Sequence, residues 1–422
     1  MSDATVQRLR LRGLVQSRGV DQAVLGVASL LLARRLGPDV FAPIAVLFVL
    51  NSLAIQVADF GVGFRVLRAA PGEHLAAASL RRLRWVNAAV GVGGVVVGLV
   101  LVPVAGAAIG ATVAGGGVLW ACAGESYVRK AATLKVVGDR PVVRAELVGA
   151  VWFAAACTAG ALAGAGVVAF AAAFVLKHGI EIAMTGAGLE LFTADGAPTR
   201  ASDEWFGQVV TYAAANVDFL LVGALLGPVA LSQYVIAFRM ASAAPALLAV
   251  PFTQAAFVDL ASTADDTDQA QGHLDRLVQR GWMLGLAGAA IAVVLAVVLP
   301  WFLGPDWAPV GPVLVVLAFA VPWRMLLGIA VGTALTADGA RNVVRWESIR
   351  LVLLGLVVAI AASLSGVVAV AAATATFGVV AIGIELQRAA ALRGLRVGRT
   401  LPVLSAIAIV GSLATAIVLG RA

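Results

Sequence analysis

The stretch LARRLGPDVFAPIAVLFVLNSLAIQVADFGVG, Leu32 to Gly63, decides how this chain is read. A Leu-Gly-Pro turn beside two arginines is followed by about twenty largely apolar positions, enough for a helix to cross ~30 Å of hydrocarbon. Glycine closes a helix by accepting a left-handed conformation, and proline is welcome in the first turn of the next one. The same punctuation returns at Leu226-Gly227-Pro228 and Leu303-Gly304-Pro305, each time between long apolar runs. A chain that repeatedly ends one apolar helix and starts another is crossing a membrane many times.

Composition agrees. Of 422 residues 61% are hydrophobic and 13% charged, against about 25% charged in a soluble domain. That leaves too little polar side chain to cover a water-facing surface. Gly, Ala and Val dominate the apolar runs, as suits helices that pack closely in lipid, and ten-residue amphipathic strands of an outer-membrane barrel are absent. The net charge of +7 does not point to nucleic acid, because the arginines sit at helix ends rather than in one patch. Cys122 and Cys157 lie in apolar runs and read as small buried hydrophobes. No cofactor or metal site is expected.

Thirteen transmembrane helices are predicted, at about 14–34, 41–64, 85–105, 107–126, 143–163, 166–188, 205–226, 229–256, 281–302, 309–335, 348–364, 366–387 and 401–419. The first is taken as a retained helix rather than a cleaved signal. With the N-terminus cytoplasmic, the inner loops carry Arg65, Arg68, Arg81, Arg82 and Arg84, then Arg129, Lys130, Lys135 and Arg140, then Arg341 and Arg345, then Arg388, Arg393, Arg396 and Arg399. The outer side holds few charges, in keeping with the positive-inside rule. Helices seven and eight repeat the Leu-Gly-Pro hairpin of helices one and two in the same orientation. The expected architecture is therefore an all-α membrane protein of two parallel six-helix lobes, 1–195 and 196–390, with an additional C-terminal helix in 391–422.

Three segments also resemble a known family. Leu32–Gly63 is similar to the opening hairpin of polysaccharide (O-antigen-type) flippases of the multidrug/oligosaccharidyl-lipid/polysaccharide (MOP) exporter superfamily. NVDFLLVGALLGPVALSQYVIAFRM, Asn216–Met240, resembles the hairpin opening their second half, although Gln233 stands where a glycine is expected before Tyr234. FLGPDWAPVGPVLVVLAFAV with LTADGARNVVRWES resembles their ninth and tenth helices and the following loop. The resemblance implies a MATE-like bundle of two lobes around a central cavity that opens alternately to each side. It also implies transport of lipid-linked oligosaccharide from the cytoplasmic to the outer leaflet of a bacterial inner membrane, with a polysaccharide polymerase or glycosyltransferases as further partners.

An ionisable side chain at mid-bilayer costs about 2.5–3.5 kcal/mol, so charges inside helices point to a pathway. They include Arg18, Asp21, Asp59, Lys177, His178, Glu181, Asp218, Arg239 and Arg324. At 1.5 Å per residue Asp218 and Arg239 lie about 14 and 17 Å below the turn they share, which makes an ion pair across that hairpin plausible. Asp59 and Arg18 also match in depth. Lys177 and Glu181, four apart, can neutralise each other. Arg324 has no acidic residue at its depth on helix nine or eleven, and an unpaired cation there should face a water-filled cavity. Each of these charges reads either as a substrate contact or as a helix-locking pair. Tyr212, Asn216, Tyr234, Gln254, Asn51 and Gln56 could offer polar surface to sugar.

Three function classes follow. A flippase for polyprenyl-(pyro)phosphate-linked sugars would hold the anionic head group with arginine, whose planar fork suits phosphate. A drug or cation antiporter would need a titrating acid, for which Asp21 is the candidate. A glycosyltransferase could use Asp266-Thr267-Asp268 as a D-x-D metal and nucleotide motif, but that short acidic loop has no domain around it, so the chain is expected not to be an enzyme. A Walker A loop needs Gly before its Lys. Lys130, Lys135 and Lys177 follow Arg129, Leu134 and Leu176, which excludes ATP hydrolysis within this chain.

Overall fold

A computed structural model describes residues 3–69, 73–186, 188–196, 202–262, 266–337, 340–398 and 400–419. Its contacts divide the chain into two compact units, Met1–Tyr212 and Ala213–Ala422. The first contains α1 (Asp3–Val57), α2 (Val62–Arg68), α3 (Ala77–Ala105), α4 (Ala107–Val136), α5 (Asp139–Leu162), α6 (Gly166–Met184) and the start of α7 (Ser202–Leu225). The second contains the rest of α7, then α8 (Pro228–Ser262), α9 (Thr267–Leu303), α10 (Val310–Ala318), α11 (Val321–Ala337), α12 (Ala340–Leu392) and α13 (Thr400–Leu419).

The three Leu-Gly-Pro turns behave as their chemistry requires. Gly37, Gly227 and Gly304 have φ of 69°, 89° and 109°, a region that strains any residue with a Cβ. Gly37 breaks α1 into two helical segments. Pro228 opens α8, whereas Pro305 opens a 3₁₀ turn, Pro305–Trp307, ahead of α10.

Among the described residues, nine helices are long and apolar enough to span a membrane, or ten if α10 and α11, bent by 50° between them, form one broken span. The expected count of thirteen also divides α1 at Gly37 and includes α8 and the shorter apolar stretch Val403–Leu419. Several boundaries differ from expectation, among them the start of α3 at Ala77 rather than 85, the end of α4 at Val136 rather than 126 and the start of α12 at Ala340 rather than 348. The second apolar run ends at Val57, and the chain turns before the short α2. α9 begins at Thr267, well before 281, because Asp266 caps it by accepting from the Gln269 N–H at 2.9 Å. Asp268 lies in the first turn of that helix, where a carboxylate complements the helix dipole. The Asp266-Thr267-Asp268 stretch is thus a helix start.

The first unit is built on small-residue packing. A Cβ placed on Gly98 would lie 2.5 Å from the Gly110 carbonyl oxygen of α4, and one on Gly94 would lie 2.7 Å from Gly117 Cα. Both clashes are with backbone, which cannot swing aside. Gly117→Val should therefore lower stability by about 1–3 kcal/mol. Thermal unfolding of the detergent-solubilised protein checks this, and a melting temperature equal to wild type would show that the α3–α4 seam is looser than described.

Beyond the α3–α4 seam, Val62, Val66, Leu80, Leu83 and Val128 form an apolar cluster that Phe60, Leu189, Leu191 and Phe192 cover. Leu75 pairs with Phe192 and Ala76 with Thr193 in a two-residue parallel bridge. The segment after α6 is thereby stitched to the first unit. The Lys135 ammonium donates to the Leu67 and Ala69 carbonyls, completing the end of α2 with a cation, as its dipole favours. Trp205 Nε1 donates to the Val57 carbonyl at 2.8 Å and Tyr212 Oη to the Val49 carbonyl at 2.8 Å. These bonds hold the start of α7 on α1.

In the second unit, the Gln271 carboxamide holds both backbone groups of Arg396, accepting from its N–H at 2.8 Å and donating to its carbonyl at 2.7 Å. The connection between α12 and α13 is pinned to α9 in this way.

Candidate functional site

Each unit contains a buried network of charge, and the first centres on Glu181 of α6. Its side chain is 0% exposed. It accepts from Lys177 Nζ at 2.6 Å, Ser126 Oγ at 2.6 Å and Lys130 Nζ at 3.2 Å. His178 Nδ1 lies 3.1 Å from the same carboxylate, and its Nε2 lies 3.0 Å from Asn51 Oδ1. Lys130 also reaches Glu146 at 3.6 Å. Helices α4 and α6 therefore meet at one carboxylate, and His178 and Lys130 extend the network to α1 and α5. A buried charge is tolerated when its lone pairs are filled and a counter-charge is adjacent, and Glu181 meets both conditions. The expected Lys177–Glu181 neutralisation is present, and the buried His178 ring has a partner at each nitrogen, Glu181 and Asn51.

A second carboxylate in this unit organises its polar edge. Glu125 is bonded by Arg84 at 2.7 and 3.0 Å and by Arg129 at 2.7 Å, and Arg129 also donates to the Ile182 carbonyl. Asp59 has a different role from the one its depth suggested. Its two oxygens accept from the Gly61 and Gly63 N–H groups at 3.0 Å each, so it shapes the turn into α2. Burial raises its carboxyl above the usual range, and these amides offset part of that. Arg18 and Asp21 lie on α1, but their side chains fall outside the described residues, as does that of Gln254.

The second unit's network lies on α7, α8, α11 and α12. Asp218, buried on α7, accepts from Tyr234 Oη at 2.7 Å and from the Phe219 N–H at 3.0 Å. Tyr234 also lies 3.2 Å from Thr374 Oγ1. Arg324 of α11 is half-buried. Its Nη1 donates to Ser242 Oγ at 2.5 Å, and its guanidinium lies 4.1 Å from the centre of the Phe238 ring. Asp218 and Tyr234 act on it electrostatically. Arg324 makes no ion pair among the described residues, and the carboxylate whose charge acts on it is Asp218 of α7 rather than one on helix nine or eleven.

The proposed Asp218–Arg239 pair is not made. Tyr234 and Phe238, four apart on α8, face Phe219 and Asp218, with ring contacts of 5.6 and 4.7 Å. Arg239 is one residue further round the helix, half-buried, with contacts of its own. Equal depth in a hairpin fixes height along the helices but not direction around them. Asn216 is half-buried one turn before Phe219.

A third cluster escaped the sequence reading. Glu347 and Arg350 of α12 form an ion pair at 2.8 Å. Further along the same helix, beyond its break at Gly366, Glu385 is 0% exposed and lies close to the Trp346 indole. Arg350 and Arg388 supply the positive charge around Glu385, and Arg388 lies 6.0 Å from the Trp346 ring centre. The E-x-x-R spacing of both pairs was visible, but placing the helix start at 348 left Glu347 in a loop. Among the described residues no group of three or more His, Cys, Asp or Glu side chains could hold a metal ion.

Apolar helices gathered in two such units form an all-α fold with the helix lengths of a multi-pass membrane protein. Two comparisons bear on the expected polysaccharide flippase of the MOP superfamily, one by sequence over part of the chain and one by fold. Residues 201–312 match the family model described as polysaccharide biosynthesis protein. The fold matches an inward-facing multidrug resistance MATE family transporter of the MOP superfamily, with a TM-score of 0.64 and 16% identity over 88% of this chain and 96% of that one. It also matches the lipid II flippase MurJ in an inward closed conformation, with a TM-score of 0.61 and 12% identity over 97% and 99% of the two chains. A MOP superfamily transporter from Pyrococcus furiosus matches with a TM-score of 0.50 and 14% identity over 98% and 94%. No curated protein sequence matches this chain.

Proposed function

We propose that this chain flips polyprenyl-(pyro)phosphate-linked oligosaccharide from the cytoplasmic to the outer leaflet of a bacterial plasma membrane, for cell-surface polysaccharide synthesis. In this reading the N-terminus is cytoplasmic, and lobes 1–195 and 196–390 rock about a central cavity, with the helix in 391–422 appended. The observation that carries the substrate class is the match of residues 201–312 to a polysaccharide biosynthesis family. Those residues include Asp218, Tyr234, Phe238 and Ser242, the groups around Arg324.

Arg324 suits the anionic head. A guanidinium has five N–H donors, and Ser242 takes one of them. The rest can grip phosphate in the bidentate manner that distinguishes arginine from lysine. Asp218 keeps the empty site neutral enough to be buried, and a phosphate would take over that counter-charge. Arg239, Asn216, Tyr212 and Arg18 remain cavity candidates, whereas Asp59 is taken up by its turn and Lys177 by Glu181. The chain is a transporter and not an enzyme in this account. Its products would pass to a polymerase or glycosyltransferases.

The alternative is a MATE-like drug or cation antiporter, with Asp21 as coupling-ion candidate. The buried Glu385 carboxylate favours it, since antiport needs an acid that can change charge. Deleting the gene separates the two. The flippase reading expects lipid extracts to accumulate polyprenyl-linked oligosaccharide, with drug tolerance unchanged. Altered drug tolerance without accumulation selects the antiporter.

A further inference from the structure

At the end of the first unit where α4 finishes and α5 begins, most cations described above have partners. Arg84 and Arg129 hold Glu125, Lys130 holds Glu181 and Glu146, Arg65 holds Glu73, and Lys135 caps α2. Arg140 and Arg144 do not fit that pattern. Both are exposed, and neither makes an ion pair or hydrogen bond among the described residues. They stand one helical turn apart on α5, beside a cleft of about 400 Å³ lined by Asp139, Arg140, Val143, Arg144, Leu147 and Val148.

The cleft is graded along the helix. Arg140 and Arg144 stand at one end with Asp139, while Val143, Leu147 and Val148 form its wall. The lining itself is almost wholly apolar, so the arginines contribute mainly their stems. Val151 and Trp152, 63% and 54% exposed, continue an apolar surface further along α5. At 1.5 Å per residue, Val151 lies about 10 Å beyond Arg144. A charged head with an apolar tail has that profile, and exposed apolar residues of a membrane span face acyl chains.

We propose that this cleft binds an anionic phospholipid, its phosphodiester held between Arg140 and Arg144 and an acyl chain lying along Leu147, Val148 and Val151. The charge count selects a phosphodiester. Two arginines less Asp139 leave one net positive charge, matching the single negative charge of a phosphodiester better than the higher charge of a pyrophosphate or free phosphate. The guanidinium forks can bond its two free oxygens, while their methylene stems lie on the apolar wall. A bound lipid would anchor α5, and through Lys130–Glu146 the Glu181 network. The site needs only the membrane reading and stands apart from the choice of transported substrate.

The test uses the full-length protein in nanodiscs containing equal amounts of phosphatidylglycerol and phosphatidylcholine, released for native mass spectrometry. Wild type should retain phosphatidylglycerol about tenfold more often than phosphatidylcholine, and Arg140→Gln/Arg144→Gln should lose that preference. Arg140→Lys/Arg144→Lys, which keeps charge and loses the fork, should fall between. Should the glutamine variant fail to fold, competition on wild type decides. Equal retention of both lipids by wild type, or unchanged retention by a folded glutamine variant, overturns the site. Displacement of phosphatidylglycerol by equimolar polyprenyl monophosphate or by inorganic phosphate overturns the assignment to a phospholipid.

Discussion

Arg324→Ala should fail to relieve the accumulation of lipid-linked oligosaccharide in a strain lacking the wild-type gene, with transport reduced about ten- to hundredfold. The magnitude follows from the bond that is lost. A hydrogen bond to a charged group contributes about 1.5–3 kcal/mol, and each 1.4 kcal/mol is a factor of ten. Arg324 is seated by Ser242 and Phe238, which orient the guanidinium without using all of its donors. Arg324→Lys keeps the charge and loses the fork, so it should restore transport partially. Removing the arginine also frees Asp218 of its nearby cation, and Asp218→Asn in the same background distinguishes two causes. Recovery in the double variant would mean that Arg324 serves mainly to neutralise Asp218. Continued failure would mean that the guanidinium acts on substrate. Equal complementation by Arg324→Ala and wild type removes Arg324 from the site.

The largest stability effect belongs to Glu181→Ala. This substitution strips the counter-charge from two lysines in the first unit and leaves the Ser126 hydroxyl and the His178 ring without their carboxylate. Breaking a buried ion pair by removing one partner costs about 3–5 kcal/mol. Lys130 keeps 17% of its side chain exposed, whereas Lys177 keeps 6%, so most of the cost falls on Lys177. For a unit of this size the melting temperature should fall by about 10 °C. The double variant Glu181→Ala/Lys177→Met should recover much of the loss, because the stranded cation is then gone. A single variant that melts within about 2 °C of wild type would contradict the network as described.

The sequence was most informative where chemistry is local. Three Leu-Gly-Pro stretches gave three turns with positive φ, because only glycine occupies that backbone region without strain. Lys177 and Glu181 were paired from their i,i+4 spacing alone, since helix geometry fixes neighbours at that distance. Their tertiary partners, Ser126, Lys130 and Asn51, lie 51 to 127 positions from the residues they meet, and no local rule reaches them.

The misreadings have the same origin. Asp218 and Arg239 were matched by depth, but the face of α8 that meets Asp218 carries Tyr234 and Phe238. Arg324 makes no ion pair among the described residues, and the Asp218 charge that acts on it comes from α7, a helix that neighbours in sequence did not point to. Asp59 resembled a membrane charge and is a turn carboxylate, a role that the glycines at 61 and 63 could have suggested. Asp266 was legible as a cap, because an Asp three residues before the Gln269 amide is a common helix start. Glu347 and Glu385 were hidden by a boundary placed at 348 and by reading Arg345 and Arg388 only as topology markers.

Reconstitution tests the central claim most directly. Purified wild-type protein would be placed in liposomes containing a fluorescent polyprenyl-pyrophosphate oligosaccharide, with a membrane-impermeant reagent destroying fluorescence at the outer leaflet. Wild type should expose the inner-leaflet pool to the reagent, and Arg324→Ala should leave most of it protected. Protection of that pool in wild-type liposomes, equal to protein-free liposomes across pH and sodium gradients of either direction, would contradict the flippase assignment.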